Sequence, residues 1–218
     1  MKMKMRAFAA LACIVSLTAS VASFDCAKAK SKTEKLICSD GAMSALDEAL
    51  AVAYRSAYSR VGNKLGIKQS QRDWLSSYRL TSCDDVACLK KEFTERIEIL
   101  NGVSASTDLA SKWTGSFVRY WKGKEDQDTA SMSILGLRSG RLFISGRALW
   151  YGPNAKNGQI NDGEILGYSK PVGADGIAVF DADGCSAKLA LHDNVIEVKE
   201  ESGCGGLNVS FNGQYRRR

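Results

Sequence analysis

The stretch Ile99-Leu100-Asn101-Gly102-Val103-Ser104-Ala105-Ser106-Thr107-Asp108-Leu109-Ala110-Ser111-Lys112-Trp113-Thr114-Gly115-Ser116-Phe117 decides the fold class. Upstream of it, apolar residues recur at steps of three and four, the period of a helix. Downstream they alternate, the period of a strand. Residues 102–111 are small and polar and read as a linker. The expected architecture is α+β: a disulfide-stapled antiparallel helical N-terminal domain over residues 23–101, then an all-β antiparallel barrel or sandwich over residues 112–218.

Working upstream, Leu89, Phe93, Ile97 and Leu100 share one helix face, opened by a cap at Asp84 or Asp85. A helix from about Lys68 is expected to turn Trp74, Leu75 and Tyr78 inward. Before it, Met43, Leu46, Leu50, Ala53 and Ala57 form a stripe that Ser39-Asp40 can cap and Gly62-Asn63 can end. Thr33 can cap a short first helix running through Cys38. Downstream, strand candidates are Trp113–Tyr120, Ala130–Leu137, Arg141–Leu149, Glu164–Tyr168, Ile177–Phe180, Ser186–Leu191, Val195–Glu200 and Leu207–Phe211. Asp193-Asn194 signals a tight hairpin. With no helix between the strands, they must close on themselves or stack.

The first residues carry a separate message. Lys2, Lys4 and Arg6 precede an apolar run from Ala7 to Leu17, and small residues follow through Ser23. That order reads as a cleaved signal peptide over residues 1–22, with Ser20-Val21-Ala22 before the cut and Ser23 as the mature start. A rival reading takes Leu11-Ala12-Cys13 as a lipobox with Cys13 lipidated, but its apolar core is stunted. The run is too short for a stable transmembrane helix, and no second one follows. A secreted or periplasmic location is expected.

Cysteine usage points the same way. Cys26, Cys38, Cys83, Cys88, Cys185 and Cys204 form an even set beyond the cut, as where disulfides persist. Cys185 and Cys204 are natural partners. Cys26–Cys38 and Cys83–Cys88 are favoured for the rest, with crossed pairings still open. No second thiol or histidine group accompanies Cys-x4-Cys, so a zinc site is not expected.

Charge excludes more than it suggests. Loss of residues 1–22 lowers the formal net charge from +6 to about +3, and both halves are nearly balanced. No basic stripe with interleaved aromatics exists, so no nucleic-acid partner is expected. The Arg216-Arg217-Arg218 tail reads as a solvated terminus. The single histidine, His192, reads as an exposed turn residue. Asp181-Ala182-Asp183-Gly184 begins like a calcium loop, but Cys185 and His192 stand where oxygen ligands are required, so it reads as a turn. With no nucleophile motif and no phosphate-binding glycine loop, neither catalytic residues, nor a metal, nor a cofactor is expected, and the protein is read as no enzyme.

One resemblance adds to this. Phe24-Asp25-Cys26-Ala27-Lys28-Ala29, Glu34-Lys35-Leu36-Ile37-Cys38, Leu46-Asp47, Tyr54, Gln71-Arg72-Asp73-Trp74-Leu75, Cys83, Cys88-Leu89, Phe93 and Arg96-Ile97 occur in order. Residues 24–101 thereby resemble the N-terminal domain of LprI-like lysozyme-inhibitor proteins. The resemblance implies a secreted helical domain and, for some members, binding and inhibition of lysozyme. Asp47, Gln71 and Arg96 are then candidates for an internal polar network. Trp113-x-Gly115-x-Phe117 and Phe211-x-Gly213-x-Tyr215 look like the opening and closing strands of small periplasmic barrels.

The expected function is therefore a secreted or periplasmic non-enzymatic binding protein of the lysozyme-inhibitor kind. Its partner would be a lysozyme-type muramidase or another envelope protein. The alternative is a β-domain that binds a small molecule or glycan. Tyr120, Trp121, Trp150 and Tyr151, aromatics near strand ends, are the candidate partner or ligand surface.

Overall fold

The computed structural model describes residues 22–126 and 130–218. The expected leader before Ala22, Cys13 included, lies outside the described residues. Helices α1 (Lys32–Ser39), α2 (Gly41–Arg60), α3 (Lys64–Leu75), α4 (Tyr78–Thr81) and α5 (Val86–Gly102) come first. Strands β1 (Gly115–Trp121), β2 (Lys124–Glu125), β3 (Ala130–Gly136), β4 (Leu142–Tyr151), β5 (Ile160–Tyr168), β6 (Ile177–Ala182), β7 (Cys185–His192), β8 (Val195–Ser202) and β9 (Gly213–Arg217) follow. The class is α+β.

Local chemistry starts each helix. Ser31, not Thr33, caps α1. Its hydroxyl accepts from Glu34 N–H at 3.1 Å while the Glu34 carboxylate accepts from Ser31 N–H at 2.8 Å. The N–H groups of Ser31 and Lys30 together hold the Glu34 carboxylate below its ordinary value. Asp40 caps α2 through Met43 N–H at 2.7 Å, and Asp85 caps α5 through Cys88 N–H at 2.8 Å. Asn63 opens α3 four residues earlier than the apolar spacing suggests, by accepting from Gly66 N–H at 2.9 Å. Disulfides join Cys26 to Cys38, Cys83 to Cys88 and Cys185 to Cys204.

The strands form one antiparallel sheet in the order β5-β4-β3-β1-β9-β8-β7-β6, with β2 folded back on β1. Its ends approach at the Ser169–Phe180 bridge, so the barrel is nearly closed. Phe117, Met132, Ile144, Phe180, Ile196 and Tyr215 fill the interior. Two strand expectations are corrected. Trp113 lies in a 3-10 helix, Leu109–Trp113, and plugs the barrel before β1 begins. Residues 207–211 are a loop held by Glu201, whose carboxylate accepts from Phe211 N–H and the Ser210 hydroxyl, and the closing strand is β9.

The triple-arginine tail, expected as a solvated terminus, is exposed at Arg216 and Arg218 but is also bonded into the fold. Arg216 stacks over Tyr120 at 4.1 Å, Arg217 over Phe117 at 4.7 Å, and Arg218 pairs with Glu125 at 2.9 Å. Arg217 also donates to the carbonyls of Thr114 and Lys112. The stacks on Tyr120 and Phe117 tie β9 to β1, and the remaining contacts reach β2 and the residues just before β1.

The two halves share a core. Leu135, Leu137 and Phe143, on the outer face of β3 and β4, are buried in the same cluster as Leu89, Phe93 and Leu100. The segment read as a linker is bonded into this junction. Gly102 ends α5, Val103 and Ser104 are buried, and Ser104 N–H donates to Gly136 carbonyl at 2.9 Å. Glycine permits the approach: a Cβ on Gly66 of α3 would lie 2.7 Å from Gly115 N, and one on Gly136 would lie 1.8 Å from Ala110 carbonyl oxygen.

Candidate functional site

The turn between α3 and α4 is held by its own serine side chains. Ser76 and Ser77 hydroxyls donate to Arg72 and Trp74 carbonyls at 3.0 and 2.8 Å, ending α3. Ser77 then accepts from Leu80 N–H and opens α4. This restart resets the helical phase. Leu80 is buried, whereas Leu75 and Tyr78, both expected to face inward, are 53 % and 82 % exposed. Trp74 stays partly buried, edge-on to Phe93 at 5.2 Å.

Tyr78 projects from a segment braced on both sides. Arg79 pairs with Glu92 at 3.0 Å and Glu95 at 2.7 Å, which fastens α4 to α5. Burial works against the Arg79 charge, but these two carboxylates outweigh it and hold its pKa above the ordinary value. The Cys83–Cys88 bond closes the loop that follows.

Cavities flank the turn on either side. On the helical side, a groove of about 510 Å³ runs between Phe24, Leu50, Tyr54, Trp74, Leu75 and Phe93, with Asp47 and Gln71 in its wall. On the barrel side, a furrow of about 400 Å³ lies between Asp73, Ser77 and Tyr78 and the outer face of β4–β5 at Ser145, Arg147, Asp162 and Glu164. It continues past Arg79 and Glu164 into a space of about 380 Å³ beside Asp183 and Cys185. Carboxylates outnumber guanidiniums along it: Asp73, Asp162, Glu164 and Asp183 against Arg79 and Arg147.

Beneath the furrow lies a buried charge. Arg96 is 1 % exposed, with Nε donating to Gln71 at 3.0 Å and Nη1 to Ser70 at 3.2 Å. Burial pulls its guanidinium down to about 10, and the nearby Asp73 charge works the other way. Its Nη2, without a hydrogen-bond partner among the described residues, lies at a cavity of about 40 Å³, room for roughly one or two waters. Asp73 accepts from Gln69 at 2.8 Å and from the Ser133 hydroxyl of β3 at 2.8 Å, and burial nevertheless raises its pKa. Of the expected network, Gln71 and Arg96 are joined. Asp47 is instead bonded to the N–H of Ser23 at 2.7 Å.

The expected aromatic residues lie at one end of the sheet, in two pairs on different strands. Tyr120 and Trp121 end β1, Trp150 and Tyr151 end β4, and β3 stands between those strands. None of the four lines the cavities above. Trp121 and Tyr151 are exposed, and Tyr120 is covered by Arg216. His192 is exposed at the end of β7, beside Asp193, whose φ of 52° makes the hairpin turn. No cluster among the described residues could hold a metal ion.

Fold and site together define a disulfide-bonded helix-and-barrel protein with an exposed aromatic turn, braced by ion pairs and a disulfide, between two cavities. Compared with the models of known protein families, with curated proteins and with solved structures, the chain finds no match.

Proposed function

We propose that this is a secreted or periplasmic, non-enzymatic binding protein that captures a lysozyme-type muramidase on the α3–α4 turn. The observation that carries the reading is Tyr78, 82 % exposed on a turn fixed by two ion pairs and a disulfide. A large aromatic side chain held ready in solvent gains contact area on binding at little ordering cost. The carboxylate excess in the adjoining furrow supplies local attraction for a basic enzyme, which an overall charge near +3 does not. The resemblance of residues 24–101 to LprI-like proteins supports the same partner class. Three disulfides, and the absence among the described residues of any helix long and apolar enough to cross a membrane, suit an exported protein. A glycan or small-molecule site at Tyr120, Trp121, Trp150 and Tyr151 is the weaker reading, because none of the four lines a cavity described above.

The test is protection of cell walls from lysis by several lysozyme classes, titrated with the oxidised chain from Ser23 to Arg218 at low and moderate salt. Saturable protection that weakens with salt is expected. Tyr78→Ala should weaken it about thirtyfold or more, while Trp121→Ala leaves it unchanged. Absence of both protection and binding with every class would end the muramidase reading.

A further inference from the structure

Asp47 poses a question that the binding face does not answer. It is an acidic residue on α2, 8 % exposed, and its carboxylate accepts from the backbone nitrogen of Ser23 at 2.7 Å. A buried carboxylate met by a neutral N–H is poorly compensated, whereas one met by an ammonium gains a charge-assisted bond. Ser23 is also the residue at which the leader pattern places the cut.

We propose that Asp47 is a receptor for the α-ammonium group that cleavage between Ala22 and Ser23 creates. Hydrolysis of that peptide bond adds water across it. The carboxylate leaves with residues 1–22, and the new amine takes up a proton at the nitrogen that already lies against Asp47. The mature N-terminus is thereby pinned to α2 at the wall of the apolar groove, which Ser23, Phe24 and Asp47 all line. Ser23 itself is exposed, so the ammonium keeps part of its hydration while one proton points at Asp47. Ala22 is buried beside the same core, so the uncleaved chain and the mature one fill this corner differently.

Other charges nearby are already engaged. Glu34 of α1 accepts from the N–H groups of Lys30 and Ser31, and Asp25 pairs with Lys28 at 3.4 Å. Tyr54 of α2 lines the groove, and Arg96 of α5 lies behind Gln71 of α3. Asp47 is the acidic group within hydrogen-bond distance of the Ser23 nitrogen.

The inference rests on the leader reading and not on the muramidase partner. The full chain, secreted through its own leader, is collected, and its intact mass and N-terminal residue are determined. The α-amino group is then titrated by NMR after reductive methylation with labelled formaldehyde. A start at Ser23 is expected, with the α-amino pKa raised from the ordinary value of about 8 to about 9 or higher. Asp47→Asn should return it to the ordinary value. So should one glycine inserted before Ser23, which moves the amine out of reach and serves if the Asp47 variant does not fold. A different start overturns the processing step. A Ser23 amine that titrates ordinarily, unmoved by either change, overturns the docking.

Discussion

At the scale of the residue, burial decides which charges matter. Asp73 accepts two hydrogen bonds and faces Arg96, yet burial dominates and its pKa is raised. The unfolded carboxyl titrates near 3.9. Between that value and the higher folded one, the folded state holds the proton more tightly. The stability that Asp73 contributes is therefore fullest below about pH 4 and falls as pH rises through the folded pKa. Asp73→Asn removes that fall. Urea unfolding of both proteins from about pH 3 to pH 7 should show the wild type losing ground to the variant as pH rises. A constant difference would mean that the buried carboxylate carries no electrostatic cost. The caps Glu34 and Asp40 act oppositely: their pKa values are lowered, and what they contribute is lost as pH falls.

At the scale of the element, the disulfides divide the labour. Cys185–Cys204 spans a separation of 19 residues and ties the start of β7 to the loop that follows β8. Cys83–Cys88 spans only five and steadies the α4–α5 connection. Loop-closure entropy predicts a loss of about 3 kcal/mol for Cys185→Ala with Cys204→Ala, and about 2 kcal/mol for Cys83→Ala with Cys88→Ala. Urea denaturation measures both. The functional consequences should rank the other way, because only the smaller loop supports the turn that carries Tyr78. Removing Cys83–Cys88 should weaken partner binding more than removing Cys185–Cys204, although it costs less stability. Equal effects on binding would argue that the turn is held by Arg79 and its two carboxylates alone.

At the scale of the whole molecule, the two halves share a buried cluster, so they are expected to unfold together. Phe143 of β4 is 6 % exposed, packs edge-on against Tyr168 at 5.4 Å and belongs to the helical core cluster. Phe143→Ala should cost about 3–5 kcal/mol. Helical and aromatic circular dichroism should still melt together, at a lower temperature. Two separated transitions would show that the halves fold independently.

Much of this architecture was legible in the amino-acid order. The change of period across residues 102–111, the cap at Asp40, the hairpin at Asp193-Asn194 and the grouping of six cysteines are local signals, because a cap or a tight turn is satisfied by neighbours in the chain. The α3–α4 turn was misread although its signal was present. Ser76-Ser77 ends one helix and caps the next, and the phase reset turns Leu75 and Tyr78 outward. Other features depended on residues distant in sequence. The furrow needs α3 and α4 laid against β4 and β5, the arginine tail gains its role only when β9 meets β1, and Asp47 finds Ser23 across 24 positions. Sequence by itself determined the order of helices before strands, most of their positions and which cysteines group together, since backbone propensity and capping act over a few residues. Only the tertiary structure decided which face carries the aromatic turn and which charges lie buried, since burial is a property of the elements that pack together.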